Sequence, residues 1–345
     1  MLNPLAADLD HVLSHTGELW DELRGRRLFI TGGTGFFGCW LLESLAWANA
    51  QRGLDATAVV LTRDAGAFRQ KCPHLAAHPA IFFQEEDVRS FEFPSGAFSH
   101  VIHAATEASA RLNEEDPLLM LDTITEGTRR TLEFARHCGA KSFLLTSSGA
   151  VYGKQPPEMA HVAEEFGGAP DALDPKSAYG QGKRLAEFMC SVYHEKYGIE
   201  TKIARCFAFV GPYLPLDSQF AIANFIRDGL RGGPIYVQGD GTPYRSCLYA
   251  ADLAIWLWTI LLRGASGRAY NVGAEAGFTI AQLAHLVARQ FDPVREVRIA
   301  REPVVGQPAE RYVPDTRRAR CELKLVATID LPEAVARTVA WHGAR

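Results

Sequence analysis

The chain has 345 residues, 47% hydrophobic and 22% charged, with a formal net charge of -4 and a pI of about 6.3. This suits a globular protein with one large domain, or a core domain with a smaller lobe, and the absence of a basic excess argues against nucleic acid or an anionic membrane as partner. The seven cysteines are odd in number, scattered and form no C-x-x-C pair, which argues against a disulfide framework or a zinc knuckle and for a reducing cytoplasm, and no apolar stretch reaches the roughly 18 residues of a spanning helix.

The N-terminal MLNPLAADLDHVLSH has neither a basic start nor an apolar core, so it does not read as a signal peptide. Residues 8–24 predict an amphipathic helix within an N-terminal extension, 1–25. Arg27–Thr31 predicts a buried strand, Gly32–Gly38 a glycine loop and Phe37–Ala50 a helix. Further strands are predicted at 56–62, 80–84, 100–105, 142–148 and 201–208, with helices over 117–137 and 178–197. Apolar strands alternating with helices imply an α/β fold, a Rossmann-type doubly wound parallel sheet over 26–211. Beyond Gly211-Pro212 turns become dense and elements short, so 212–345 reads as a smaller C-terminal α/β lobe, with 240–273 partly returning to the sheet. Neither of the helically spaced pairs His11/His15 and His74/His78 has an acidic third ligand at metal-ligand spacing, so they read as packing or solvated histidines and no metal site is expected.

TGGTGFFG carries Gly32, Gly35 and Gly38 between a strand and a helix. In that context the glycines let the backbone approach a dinucleotide pyrophosphate at the helix N-terminus. Thr34, Phe36 and Phe37 belong to the same loop. At the end of the second strand, Arg63 suits a 2′-phosphate while Asp64 suits a ribose 2′-OH, so the reading leans to NADP and leaves NAD open. After the third strand, Asp87 is placed either to accept from an adenine amino group, with Val88 packing on the ring, or to cap a helix.

FLLTSSGAVYG ends a strand on Thr146, Ser147 and Ser148, at the carboxyl end where open α/β sheets bind ligands. Downstream, SAYGQGK puts Tyr179 and Lys183 four apart on one helix face. An ammonium beside a phenol favours the phenolate, a base able to take a proton from a sugar hydroxyl while hydride leaves the same carbon. A serine at the strand end can hydrogen-bond that hydroxyl.

TGGTGFFG, HVIHAA, TSSGAVYG, YGQGK, RCFAFVGP and GDGTPYRSCLYAADLA occur in the order seen in extended short-chain dehydrogenase/reductases. From about 26 to 325 the chain resembles the nucleotide-sugar epimerase/dehydratases of that superfamily. The resemblance implies tightly held NAD(P) and a C-terminal lobe gripping a nucleotide diphosphate-sugar. It puts the catalytic hydroxyl on Ser148, the base on Tyr179 and its lysine on Lys183. His103, Ala104 and Ala105, with Thr146, would line the cofactor, and Arg245 and Arg311 would bind the substrate phosphates. It also implies a homodimer through a four-helix bundle of helices 117–137 and 178–197, and a place in cell-surface polysaccharide or glycosylated-metabolite synthesis.

Three departures refine this. The 4,6-dehydratases of the family carry Asp-Glu after the catalytic hydroxyl residue, and related decarboxylases a Glu two residues after it; here stand Gly149 and Ala150. Neither can act as acid or base, so 4,6-dehydration is disfavoured unless Glu107 substitutes. The asparagine expected three residues after Arg205 is Ala208, for which Asn224 is the candidate replacement, and the one expected at 124 is Ile124. A C4 epimerase leads. A 4-keto-sugar reductase and a UDP-glucuronate-type decarboxylase follow, and a non-catalytic dinucleotide-binding scaffold is the reading from another class, one that an activity surviving Tyr179→Phe would favour.

Overall fold

The computed structural model describes residues 3–106 and 110–344, so Glu107 lies outside the described residues. Seven strands form the central sheet: β1 (Arg27–Thr31), β2 (Thr57–Thr62), β3 (Ile81–Glu85), β4 (His100–His103), β5 (Ser142–Ser148), β6 (Glu200–Cys206) and β7 (Arg268–Val272). Their order is β7-β6-β5-β4-β1-β2-β3. The pairs β1–β2, β2–β3, β1–β4 and β4–β5 run parallel. The order reverses between β1 and β4, and the carboxyl ends there form the crevice where such sheets take ligands. All seven residues of β5 are buried, as expected of a strand covered on both faces.

The helices that matter for the site are α1 (Ala6–Thr16), α2 (Phe36–Arg52), α3 (Ala65–Lys71), α4 (Pro117–His137), α5 (Ala178–Tyr197) and α6 (Ala250–Arg263). The single helix expected over 8–24 ends at Thr16, because Gly17 takes φ +43 and the chain continues as a tighter 3-10 turn, Gly17–Leu23. This extension is not loose. Trp20 donates to Thr16 Oγ1 and its ring lies 4.9 Å from that of Trp258 on α6, which in turn donates to Ser44 on α2. The fourth and sixth strands stop at His103 and Cys206, short of the expected 105 and 208. His74, with no acidic neighbour in sequence, gains one by folding: its Nε2 is 2.7 Å from Glu43 Oε1 on α2.

By contacts the chain divides into two units. The first comprises Met1–Val151, Pro170–Arg205 and Ala254–Tyr270, the second Tyr152–Ala169, Cys206–Leu253 and Asn271–Arg345. Residues 152–169, placed by sequence inside 26–211, thus belong to the second unit, and 254–270 to the first. The core of the first unit includes Phe29, with ring centroids of Phe134 and Phe91 at 4.5 and 5.3 Å. Position 124 is explained by the seam between α4 and α5. Ile124 is fully buried, and a Cβ on Gly182 would meet its side chain at 3.0 Å, so the seam is apolar and close-fitting. On the outer side Leu118, Leu185, Phe188 and Val192 are exposed.

The second unit has a three-stranded sheet of Phe278–Thr279, Tyr244–Arg245 and Arg311–Tyr312, and two two-stranded pairs. Asn271 stitches it together. Its Nδ2 donates to the carbonyls of Val162 and Asp315, and its Oδ1 accepts from the Tyr152 hydroxyl at 2.8 Å. Among the described residues no helix is long and apolar enough to cross a membrane.

Candidate active site

The glycine loop is shaped by what lies beneath it. Gly32 has φ +71, and a Cβ there would stand 2.4 Å from the carbonyl oxygen of Ala104, so both backbone angle and space require glycine. Thr31 ties the two segments: its hydroxyl bonds His103 Nδ1 at 2.7 Å and accepts the Ala105 N–H at 3.2 Å. His103 Nε2 meets Thr128 at 3.0 Å. Burial, with the Lys183 charge adding to it, pushes the His103 imidazole down to about 3, so it is neutral.

Gly35 caps α2 without a side chain, so the N–H groups of Phe36, Phe37 and Gly38 open the first helical turn. A glycine-rich loop over a helix N-terminus fits the pyrophosphate of NAD(P). At the ribose end the acidic candidate is engaged elsewhere: Asp64 caps α3, accepting the Ala67 N–H at 2.7 Å. Arg63 is exposed, and Lys71 reaches back from α3 to donate to the Thr34 carbonyl at 3.1 Å, while the Thr34 and Thr62 hydroxyls pair at 3.2 Å. Asp87 accepts from the Arg89 N–H and guanidinium, both at 2.9 Å, and the Arg89 bonds hold its carboxyl below the usual range. It shapes the turn after β3 rather than a helix, and Val88 is buried beside it.

The end of β5 meets α5. Lys183 is buried, and its ammonium donates to the Thr146 carbonyl at 2.8 Å and to Thr106 Oγ1 at 3.0 Å. Its Nζ lies 5.8 Å from the centre of the Tyr179 ring. The Tyr179 N–H is held by Asn113 Oδ1 at 2.9 Å. Ser148 Oγ accepts the Ala150 N–H at 3.1 Å, shaping the turn that carries Gly149 and Ala150. Thr146 Oγ1 donates to the His103 carbonyl at 3.2 Å. Sequence reasoning did not single out Thr106, Asn113 or Glu187. Glu187 had a signal, one more four-residue step beyond Tyr179 and Lys183; the others had none.

In the second unit, Arg245 stands opposite Tyr312 and Arg311 opposite Tyr244 in register, so strand alternation starts the two arginines on opposite faces of the small sheet. Burial draws the Arg245 guanidinium below its ordinary value, with Glu310, 3.9 Å away, opposing. A half-buried cation with so distant a carboxylate suits an added anion. Arg311 lies 4.1 Å over the Tyr244 ring. Asn224 Oδ1 accepts from Arg227 at 2.8 Å, so the amide nitrogen is the group it offers a ligand.

Residues 28–273 match the model of the NAD dependent epimerase/dehydratase family. The chain belongs to that family. It is 30% identical over 315 residues to UDP-glucuronic acid decarboxylase 1 of Arabidopsis thaliana, covering 91% of this chain and 69% of the relative. An epimerase of Methanothermobacter thermautotrophicus superposes with a TM-score of 0.81 at 22% identity, over 96% of both chains. A dTDP-glucose 4,6-dehydratase of Streptomyces venezuelae, solved with NAD bound, gives 0.77 at 24% identity, over 92% of this chain and 97% of the other. At such identities the structural likeness shows the Rossmann-like α/β fold. Family and relatives together make this epimerase/dehydratase an NAD(P)-dependent nucleotide-sugar enzyme.

Proposed function

We propose that this enzyme is a C4 epimerase of a nucleotide diphosphate-hexose. The observation that carries the reading is the turn after Ser148. Gly149 and Ala150 offer no acid or base, and the nearby carboxylate on α5, Glu187, is engaged by Ser147 and Arg205. Epimerisation needs none: the C4 hydroxyl loses its proton while a hydride leaves C4, the keto-sugar turns over, and both return. Bound NAD(P) would supply the hydride chemistry. Tyr179 takes and returns the proton of the C4 hydroxyl, Lys183 stabilises its phenolate, and Ser148 hydrogen-bonds the same oxygen as it becomes a carbonyl. The loop of Gly32, Gly35 and Gly38 holds the cofactor, and Arg245, Arg311 and the Asn224 amide are assigned to the substrate phosphates.

For the cofactor we assign NADP, supported by the engagement of Asp64 as a cap and by the cations Arg63 and Lys71. Arg63→Ala should weaken NADP binding about tenfold and leave NAD unchanged, read by ligand-dependent thermal shift; equal losses for both would refute it. A homodimer through α4 and α5 belongs to the same reading, supported by exposed Leu118, Leu185, Phe188 and Val192.

The decarboxylase relatives favour a second reading, since a uronic acid oxidised at C4 is a β-keto acid that loses CO₂ readily. Incubation with UDP-glucose, UDP-galactose and UDP-glucuronate, followed by NMR, separates the two. Interconversion of the hexoses without net cofactor consumption supports the epimerase. A UDP-pentose with CO₂ release supports the decarboxylase and rejects it.

A further inference from the structure

Glu187 and Arg205 form a pair that the chemistry above does not use. The carboxylate oxygens of Glu187 accept from Arg205 Nε at 3.0 and 3.2 Å and from Nη2 at 2.7 Å, and the side chains keep only 11% and 17% of their exposure. Oε1 also accepts the Ser147 hydroxyl at 2.6 Å. Glu187 lies four residues beyond Lys183 and eight beyond Tyr179 on α5, so the three side chains leave one helix face. Consecutive residues of β5 are therefore tied to successive turns of α5. The Thr146 carbonyl is held by Lys183, the Ser147 hydroxyl by Glu187, and Ser148 follows at once.

Strand alternation turns Ser147 and Ser148 to opposite faces, so Glu187 reaches Ser148 only through the backbone. A hydroxyl-to-carboxylate bond is among the stronger kinds, and the planar fork of Arg205 fixes the direction from which that carboxylate accepts. We propose that Glu187 is a positioning residue. It clamps the end of β5 to α5, so that the Ser148 hydroxyl keeps its place relative to Tyr179, and Arg205 orients the clamp.

The test uses the full chain. Hydrogen–deuterium exchange of peptides spanning 143–152 should quicken about tenfold in Ser147→Ala, the loss of one charge-assisted hydrogen bond, and return to the wild-type rate in Ser147→Thr, which keeps the hydroxyl. Unchanged exchange in Ser147→Ala overturns the proposal. A second arm rests on the nucleotide-sugar reading. Ser147→Ala should lower kcat about tenfold with KM unchanged, yet cost nothing further in a Ser148→Ala background, because the effect passes through Ser148. Equal losses in both backgrounds would mean a general structural role and overturn it as well. A wild-type enzyme that turned over no nucleotide sugar would sink the function proposed above, while the exchange measurement would still decide the clamp.

Discussion

Replacing Lys183 by methionine removes the ammonium that stands 5.8 Å from the centre of the Tyr179 ring and keeps an apolar stem in its buried place. At that separation and an effective dielectric constant of about 20, two unit charges interact by roughly 3 kcal/mol. A phenolate deprived of that support forms about 100-fold less readily at neutral pH. A neighbouring cation favours the deprotonated phenol, so without it the rising limb of the rate profile moves to higher pH. The assay is the initial rate of hexose interconversion from pH 6 to 10, with cofactor occupancy measured on the same samples by releasing the dinucleotide. Lys183→Met should lose about two decades at pH 7, and the gap should narrow as pH rises. A loss below threefold with full occupancy, or one constant across the whole range, refutes the argument.

Gly32→Ala should lower stability by about 1–3 kcal/mol and empty the cofactor site, seen as a lower melting temperature and no retained dinucleotide, since its Cβ would meet the Ala104 carbonyl at 2.4 Å. His103 stays neutral down to about 3 in the fold, whereas it titrates near 6.5 when unfolded. Below pH 6.5 the unfolded chain therefore takes up a proton that the folded one cannot, costing up to roughly 1.4 kcal/mol per pH unit. Half-buried His100, pushed down to about 4 mainly by desolvation, adds to the same slope. His103→Gln should melt with a shallower pH dependence between 6.5 and 4.5, and an unchanged slope would show that the histidine does not carry it. Asn224→Ala should raise KM for the nucleotide sugar about tenfold or more with kcat little changed; unaltered affinity measured by calorimetry would remove Asn224 from the substrate site.

Much of the sheet was legible because local rules agreed. β1 and β5 are short apolar runs with turn residues at their ends. α4 begins with Pro117 after the Asp116 cap, a start signal, and α5 ends at left-handed Gly198, a stop signal. The first helix misled because its apolar spacing continues past Gly17, where the backbone does not. Ile124 looked like a missing polar contact, whereas packing makes it the seam between α4 and α5.

Within the site, Tyr179 and Lys183 could be paired on paper because four residues of helix fix their relation. The partners of Lys183 could not: Thr106 is 77 residues away, and only the close approach of β4, β5 and α5 brings it within 3.0 Å. The same holds for Ser147 and Glu187, 40 residues apart. Periodicity, glycine spacing and residue chemistry, all local to the chain, were enough by themselves to give the sheet, the dinucleotide loop and the tyrosine–lysine face. What Glu187 does was settled only by tertiary structure. Asp64 and Asp87 find their partners two or three residues along the chain, as a helix cap and a turn, whereas Glu187 becomes a clamp through Arg205 and Ser147, 18 and 40 residues away, which only the packing of β5, β6 and α5 brings within reach.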